Sequence, residues 1–145
     1  MSERNVQLVR GIFEAGNAES KEAILAALPE LIPQLFDPKV EFVETPERVD
    51  ARTYHGHDGV RQAFERWLEQ WEDYRAELVS VEDHGNLVLA TVREHATGIV
   101  SGAGAANTLY VVFTFRDGKV SRYEETYEES RARALTGSPP PRLLL

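Results

Sequence analysis

The sequence predicts an α+β fold in which helices gather on one face of a curved antiparallel sheet. Three observations lead there. Apolar residues recur at helical spacing through the first half of the chain and at alternating spacing through the second. Residues 108–127, TLYVVFTFRDGKVSRYEETY, read as a hairpin, because Asp117-Gly118 between two β-rich runs tolerates the positive φ values of a tight primed turn. Val60, Phe64, Trp67, Leu68 and Trp71 form one apolar stripe, which predicts a long amphipathic helix between the two halves.

Taken in order, Val6, Val9, Ile12 and Phe13 predict a first helix, with Ser2 as its cap and Gly16-Asn17 as its end. Ser20 caps a second helix carrying Ile24, Leu25 and Leu28, expected to stop at Pro29 because proline has no backbone N–H to donate. A further turn is expected over 31–36, a short strand over 40–43 and a polar loop over 45–53. Asp58 is the expected cap of the long helix, which should run to about Asp73. The period then changes to two. Strands are expected over 78–82 and 87–97 around an Asp83-His84-Gly85-Asn86 turn, with GIVSGAGAA (98–106) loosening the pairing before the final hairpin. A last helical turn or two over 128–135 should stop at Gly137.

Composition narrows the function. At 145 residues the chain can bury a core as one domain. It has no cysteine, which excludes disulfides, thiolate metal sites and a Cys nucleophile. A formal net charge of −8 argues against a nucleic-acid partner. No apolar run approaches a membrane span and the start lacks a signal-peptide core, so a cytoplasmic protein with no membrane partner is expected.

The residues that could carry chemistry are few. Glu124 and Glu125 are adjacent on the returning hairpin strand, so only one can point inward. Direct pairing across the Asp117-Gly118 turn puts Arg122 and Glu124 on the face of Phe113 and Phe115, whereas one β-bulge between Val120 and Tyr123 puts Glu125 there. Trp67 reads as core, and Trp71, near the helix end, as a cavity residue beside Phe13, Tyr54 and Phe113. His55 and His57 alternate as metal ligands can, but no acid or third histidine accompanies them, and no metal is expected. Gly102-Ala103-Gly104 is not followed by a helix that could hold a phosphate.

Several segments together resemble the SnoaL-like branch of the nuclear transport factor 2-like superfamily, which includes ketosteroid isomerases and polyketide cyclases. They are Tyr54-His55-Gly56 leading into Gly59-Val60-Arg61, the run from Trp67 through Trp71 to Tyr74, Gly85-Asn86-Leu87-Val88, Ser101-Gly102, and Phe115 through Asp117-Gly118 to Val120. The resemblance implies one such domain over 1–137, followed by a flexible tail over 138–145. It also implies a cone-shaped, cystatin-like half-barrel enclosing one apolar cavity, in a homodimer.

The implied function is a small-molecule pocket protein. It would be either a cofactor-free acid/base enzyme of cyclase, isomerase or hydratase type acting on a hydrophobic polycyclic or polyketide-like substrate, or a non-catalytic binding or dimerisation module. The family's catalytic acid, seven positions after the hairpin glycine, falls on Glu125, and the second acid of its epoxide hydrolases aligns with Glu94. Phe13, Phe42, Tyr54, Trp67, Trp71, Phe113, Tyr123 and Tyr127 are the implied pocket residues. The chain departs from the hydrolases in having Val92 in place of an arginine, and in using Glu rather than Asp for both acids.

Overall fold

A computed structural model describes residues 2–16, 20–98 and 104–137. Two helices, α1 (Ser2–Gly16) and α2 (Lys21–Leu35), are followed by two strands, β1 (Phe36–Val43) and β2 (Thr53–His55), and then a third helix, α3 (Gly56–Glu69). Four long strands follow, β3 (Trp71–His84), β4 (Leu87–Gly98), β5 (Gly104–Arg116) and β6 (Lys119–Thr126), and then α4 (Glu129–Thr136). The six strands form one curved, open sheet in the order β2-β1-β6-β5-β4-β3. The fold is α+β, as the change of period predicts.

β1 and β3 are longer than the strands expected over 40–43 and 78–82, and three further departures from expectation shape the fold. The second helix does not stop at Pro29 but runs through Pro29 and Pro33 to Leu35, absorbing the separate turn expected over 31–36. Both prolines lie on the exposed side, where water can take the freed carbonyls, while Ile24, Leu28 and Ile32 bury a continuous stripe on the other. Lys119 Nζ also donates to the Pro33 carbonyl at 2.9 Å. The third helix starts and ends earlier than predicted, at Gly56 and Glu69. Trp71 fits the helical stripe, but strand pairing wins there, with Trp71 opposite Gly98 and Tyr74 opposite Ala96. Third, the sheet is not wholly antiparallel, since β1 runs parallel to β6, placing Phe42 beside Tyr123.

The final hairpin is as expected, with Asp117 at φ 51° and Gly118 at φ 80° in its turn. The loosening expected over 98–106 is absent at its ends, because residues 104–106 of β5 pair with β4. Residues 99–103 and the expected tail over 138–145 lie outside the described residues.

Bulges set the curvature and the faces of the sheet. Thr114 pairs with Arg122 and Phe115 with Val120, leaving Ser121 as one extra residue in β6. That residue turns Tyr123 and Glu125 onto the inner face with Val111, Phe113 and Phe115, and Arg122 and Glu124 onto the outer one. A second bulge leaves Val79 unpaired in β3 and 59% exposed.

The inner face carries the main core, which α1, α2 and α3 cover. Gly59 makes close approach of α3 possible, since a Cβ there would stand 3.1 Å from Tyr54. On the outer face a smaller cluster of Leu89, Val112, Leu87 and Tyr110 packs against Ala132 of α4.

Candidate functional site

The space left between α2, α3 and the inner face is an apolar cavity of about 100 Å³. Helical walls come from Ile12 and Phe13 of α1, from Ile24, Leu28 and Leu31 of α2, and from Ala63, Phe64 and Trp67 of α3. The sheet contributes Phe42, Ala76, Val92, Leu109 and Tyr123. Charge enters through three of the lining residues, Glu44, Arg48 and Glu125, with Tyr74 beside them. A mostly apolar wall with polar groups converging at one end is how small-molecule sites are commonly built.

Glu125 is the centre of that polar end. Its Oε1 accepts from Arg48 Nη1 at 3.0 Å and its Oε2 from the Tyr123 hydroxyl at 3.0 Å. Burial pushes the Glu125 carboxyl up to about 7, because the charged form loses its hydration. The Arg48 charge opposes that rise, and the Glu94 charge adds to it.

Arg48 comes from the 44–52 loop, not from the strand position where Val92 stands. Its Nη2 donates to the Tyr127 hydroxyl at 3.0 Å, and its guanidinium lies 3.9 Å from the Trp67 ring centre. Burial works against the Arg48 charge, but Glu125, Tyr127 and Glu94 more than offset it and raise its pKa. Glu47 anchors the loop from the other side, accepting from the Thr126 hydroxyl at 2.9 Å and the Tyr127 N–H at 3.3 Å. It also accepts from the Thr45 hydroxyl.

Glu94 is 3% exposed on β4 and sits behind the cavity wall, not on it. The Tyr74 hydroxyl donates to one of its oxygens and Tyr127 to the other, at 3.3 Å for Tyr127. Both hydroxyls are held protonated, with burial and then the Glu94 charge raising their pKa values. A chain of polar contacts therefore runs from Tyr123 through Glu125, Arg48, Tyr127 and Glu94 to Tyr74. Glu44 flanks it, bound by the Arg52 N–H at 3.0 Å and lying 3.6 Å from Arg66 Nη1.

Of the expected pocket residues, Phe13, Phe42, Trp67 and Tyr123 line the cavity. Phe113 stands behind it, edge-on to Phe13 and Tyr123. Tyr54 is buried in the core, with its hydroxyl on Arg66 at 3.0 Å. Tyr127 does not line the cavity but closes its polar end, through its hydroxyl and the Arg48 guanidinium 5.5 Å from its ring centre. The two tryptophans exchange the places expected of them. Trp67 faces the cavity, whereas Trp71 is the first residue of β3 and packs behind Trp67, ring centres 5.4 Å apart. The reason is the early end of α3. His55 is exposed and His57 Nε2 lies 2.7 Å from the Phe36 carbonyl, so the two do not converge.

Sequence reasoning missed Arg48 and Tyr74 as parts of the site. Tyr74 stood in a recognised segment, and its alternation with Ala76 and Leu78 marks its face. Arg48 had no local signal, since its partner Glu125 is 77 residues away.

The model of the SnoaL-like domain matches residues 9–123, and the chain belongs to that family. Solved structures agree in fold. Bal32a, from a soil-derived mobile gene cassette, is 22% identical with a TM-score of 0.70, over 86% of this chain and 88% of that one. A hypothetical protein from Catenulispora acidiphila DSM 44928 with a ketosteroid isomerase-like fold, in complex with trimethylamine, is 14% identical with a TM-score of 0.67, over 91% and 93%. TerC, co-crystallised with polyporic acid, is 19% identical with a TM-score of 0.67, over 93% and 99%. At these identities the likeness is one of fold. None of the curated proteins matches. No helix among the described residues is long and apolar enough to cross a membrane.

Proposed function

We propose that this chain binds a small hydrophobic molecule in the cavity and moves a proton on it with Glu125, as a cofactor-free enzyme of the cyclase, isomerase or hydratase type. One observation carries the reading. A carboxyl group stands at the polar end of an apolar cavity, and burial brings its pKa to about 7, where it can both take and return a proton near neutrality. Arg48 and Tyr123 hold the carboxylate in place and stabilise its charged form. Glu94 acts from a distance, its charge raising the proton affinity of Glu125. Structural relatives crystallised with trimethylamine and with polyporic acid support a cavity that admits small organic molecules.

The size of the space narrows the ligand. About 100 Å³ is less than the roughly 150 Å³ of an engineered apolar cavity that holds benzene. A short branched chain fits as the cavity stands, a single ring requires a small movement of the walls, and a polycyclic body requires a larger one. A second reading, a binding protein without turnover, draws on the fact that both Glu125 oxygens already have partners. Hydrogen–deuterium exchange at acidic C–H positions of one-ring ketones, followed by NMR in D₂O, separates the two. Exchange by the wild type that is lost in Glu125→Gln, with affinity kept within a few-fold, is the expected result. Tight binding with no exchange by the wild type supports the binding protein.

The homodimer belongs to the same proposal. On the outer face Leu89 and Val112 are already buried against α4, and half-buried Leu87 and Tyr110 beside them are the apolar surface offered to a second copy. Tyr123 is not part of that surface, because the bulge at Ser121 turns it inward. Light scattering at micromolar concentration should give twice the 16.3 kDa chain mass.

A further inference from the structure

Arg48 lines the cavity, yet its hydrogen bonding is incomplete. Nη1 and Nη2 are used on Glu125 and Tyr127, but Nε is buried with no partner. Among the described residues only one other buried side-chain nitrogen is in that state, Trp71 Nε1; Arg48 lies over the Trp67 ring and Trp71 meets it edge-on. A buried donor of a guanidinium left without an acceptor loses its hydration and gains nothing in return, so it asks for an acceptor that the protein does not provide. Arginine pairs best with a flat anionic oxygen group that can bridge two of its N–H bonds.

We infer that the cavity takes a small apolar molecule bearing one carboxylate-like oxygen group, seated on Arg48, and that seating it moves Arg48 from Glu125 to the ligand while Glu125 takes up one proton. This rests on the reading of the cavity as a ligand site. The exchange balances in charge. One carboxylate on Arg48 is replaced by another, the displaced Glu125 becomes neutral, and the cluster keeps its net charge.

The surrounding groups make Glu125 the one to give way. Glu94 on β4 is held by the hydroxyls of Tyr74 and Tyr127, and Glu44 at the end of β1 by the Arg52 N–H with Arg66 of α3 beside it, so neither depends on Arg48 alone. Glu125 keeps the Tyr123 hydroxyl after Arg48 turns away. Its affinity for a proton is already high, with burial the largest cause, and it rises further once the opposing Arg48 charge is spent on the ligand.

The test is calorimetric titration of the full chain with benzoate and 3-methylbutanoate, each beside its neutral amide, and with benzylamine as a cation. Titrations run at pH 6, 7 and 8 in buffers of differing ionisation enthalpy. At pH 6 the carboxylates should bind about tenfold or more tighter than their amides. Above pH 7 their affinity should fall by up to about tenfold per pH unit, with uptake approaching one proton. Glu125→Gln should bind them with a flat pH profile and no uptake, and more tightly than the wild type at pH 8. Arg48→Met should lose the preference for carboxylate over amide, and Arg48→Lys should keep part of it. Amides or benzylamine binding more tightly than the carboxylates, or carboxylate binding without proton uptake, overturns the inference while the ligand cavity stands. Binding of none of these probes overturns both.

Discussion

Glu124 and Glu125 are consecutive residues of β6, and each is 6% exposed, yet the strand sends them to opposite faces of the sheet. On the outer face Glu124 meets Arg122, with Nη2 at 2.6 Å and Nε at 3.1 Å, and Arg122 in turn reaches Glu41 at 3.0 Å. The Arg122 side chain is 43% exposed, so water shares that pair. On the inner face Glu125 meets an arginine that is itself largely buried, a tyrosine hydroxyl and the field of a second acid. Equal burial of the residue thus leads to a structural ion pair in one case and to a protonatable group in the other. A hollow adjoins each acid, and what separates them is how much water the partner keeps.

Three substitutions probe this contrast. The largest effect should follow Arg48→Met. At pH 8 it leaves buried Glu125 without its cation, so the acid is either carried charged or protonated against the solution pH, and such losses cost up to roughly 3–5 kcal/mol. At pH 6, where Glu125 is mostly protonated, the cost should shrink. Urea unfolding at the two pH values reads the difference, and an equal loss at both would mean that Glu125 does not feel Arg48.

Glu125→Gln comes next. The folded-state pKa of about 7 lies above the ordinary 4.5, so the native protein binds more protons between those values. The stabilisation by that proton is complete below about pH 4.5 and is lost as pH rises through 7, a span worth up to about 3 kcal/mol. The glutamine variant should not show this decline, and its stability should exceed that of the wild type most clearly at pH 8. Parallel stability–pH curves would place Glu125 in contact with water.

Glu124→Gln should be the mildest. Its partner is half open to solvent, so a loss of about 1 kcal/mol is expected, with ligand affinity unchanged. A change in ligand affinity as large as that of Glu125→Gln would erase the distinction between the two faces.

The sequence already held both alternatives for this strand. The Asp117-Gly118 turn fixed where pairing begins, and parity from that point left Glu124 or Glu125 inside, depending on one bulge. Nothing local decides whether Ser121 is skipped. The decision comes from burying Val120, Tyr123 and Phe115 on one face, a tertiary effect. The helix through Pro29 and Pro33 was illegible for a similar reason, since the local penalty was visible and the compensating stripe of Ile24, Leu28 and Ile32 acts only against a sheet. Trp71 satisfied the helical period and is out of step with the alternation of Tyr74, Ala76 and Leu78, and only a bulge at Glu72 and pairing with Gly98 bring it into the strand. Arg48 could not be found at all. It sits in a loop without periodicity, and apart from Glu44 at 3.9 Å in the same loop, the partners that define it are remote in the chain or on another element.

The attachment of that loop has a mechanical consequence. Glu47 grips Thr126 and Tyr127, the two residues directly after Glu125, while Arg48, directly after Glu47, grips Glu125 and Tyr127 themselves. The two opposed charges are thus mounted on one short bracket, and when helices breathe or the sheet flexes they travel together. Distortion of the sheet alters the room available to a guest, while the loop that carries Arg48 stays tied to the end of β6 through Glu47, whichever partner the guanidinium holds. The grip on a ligand's polar group is insulated from whatever movement lets the ligand in.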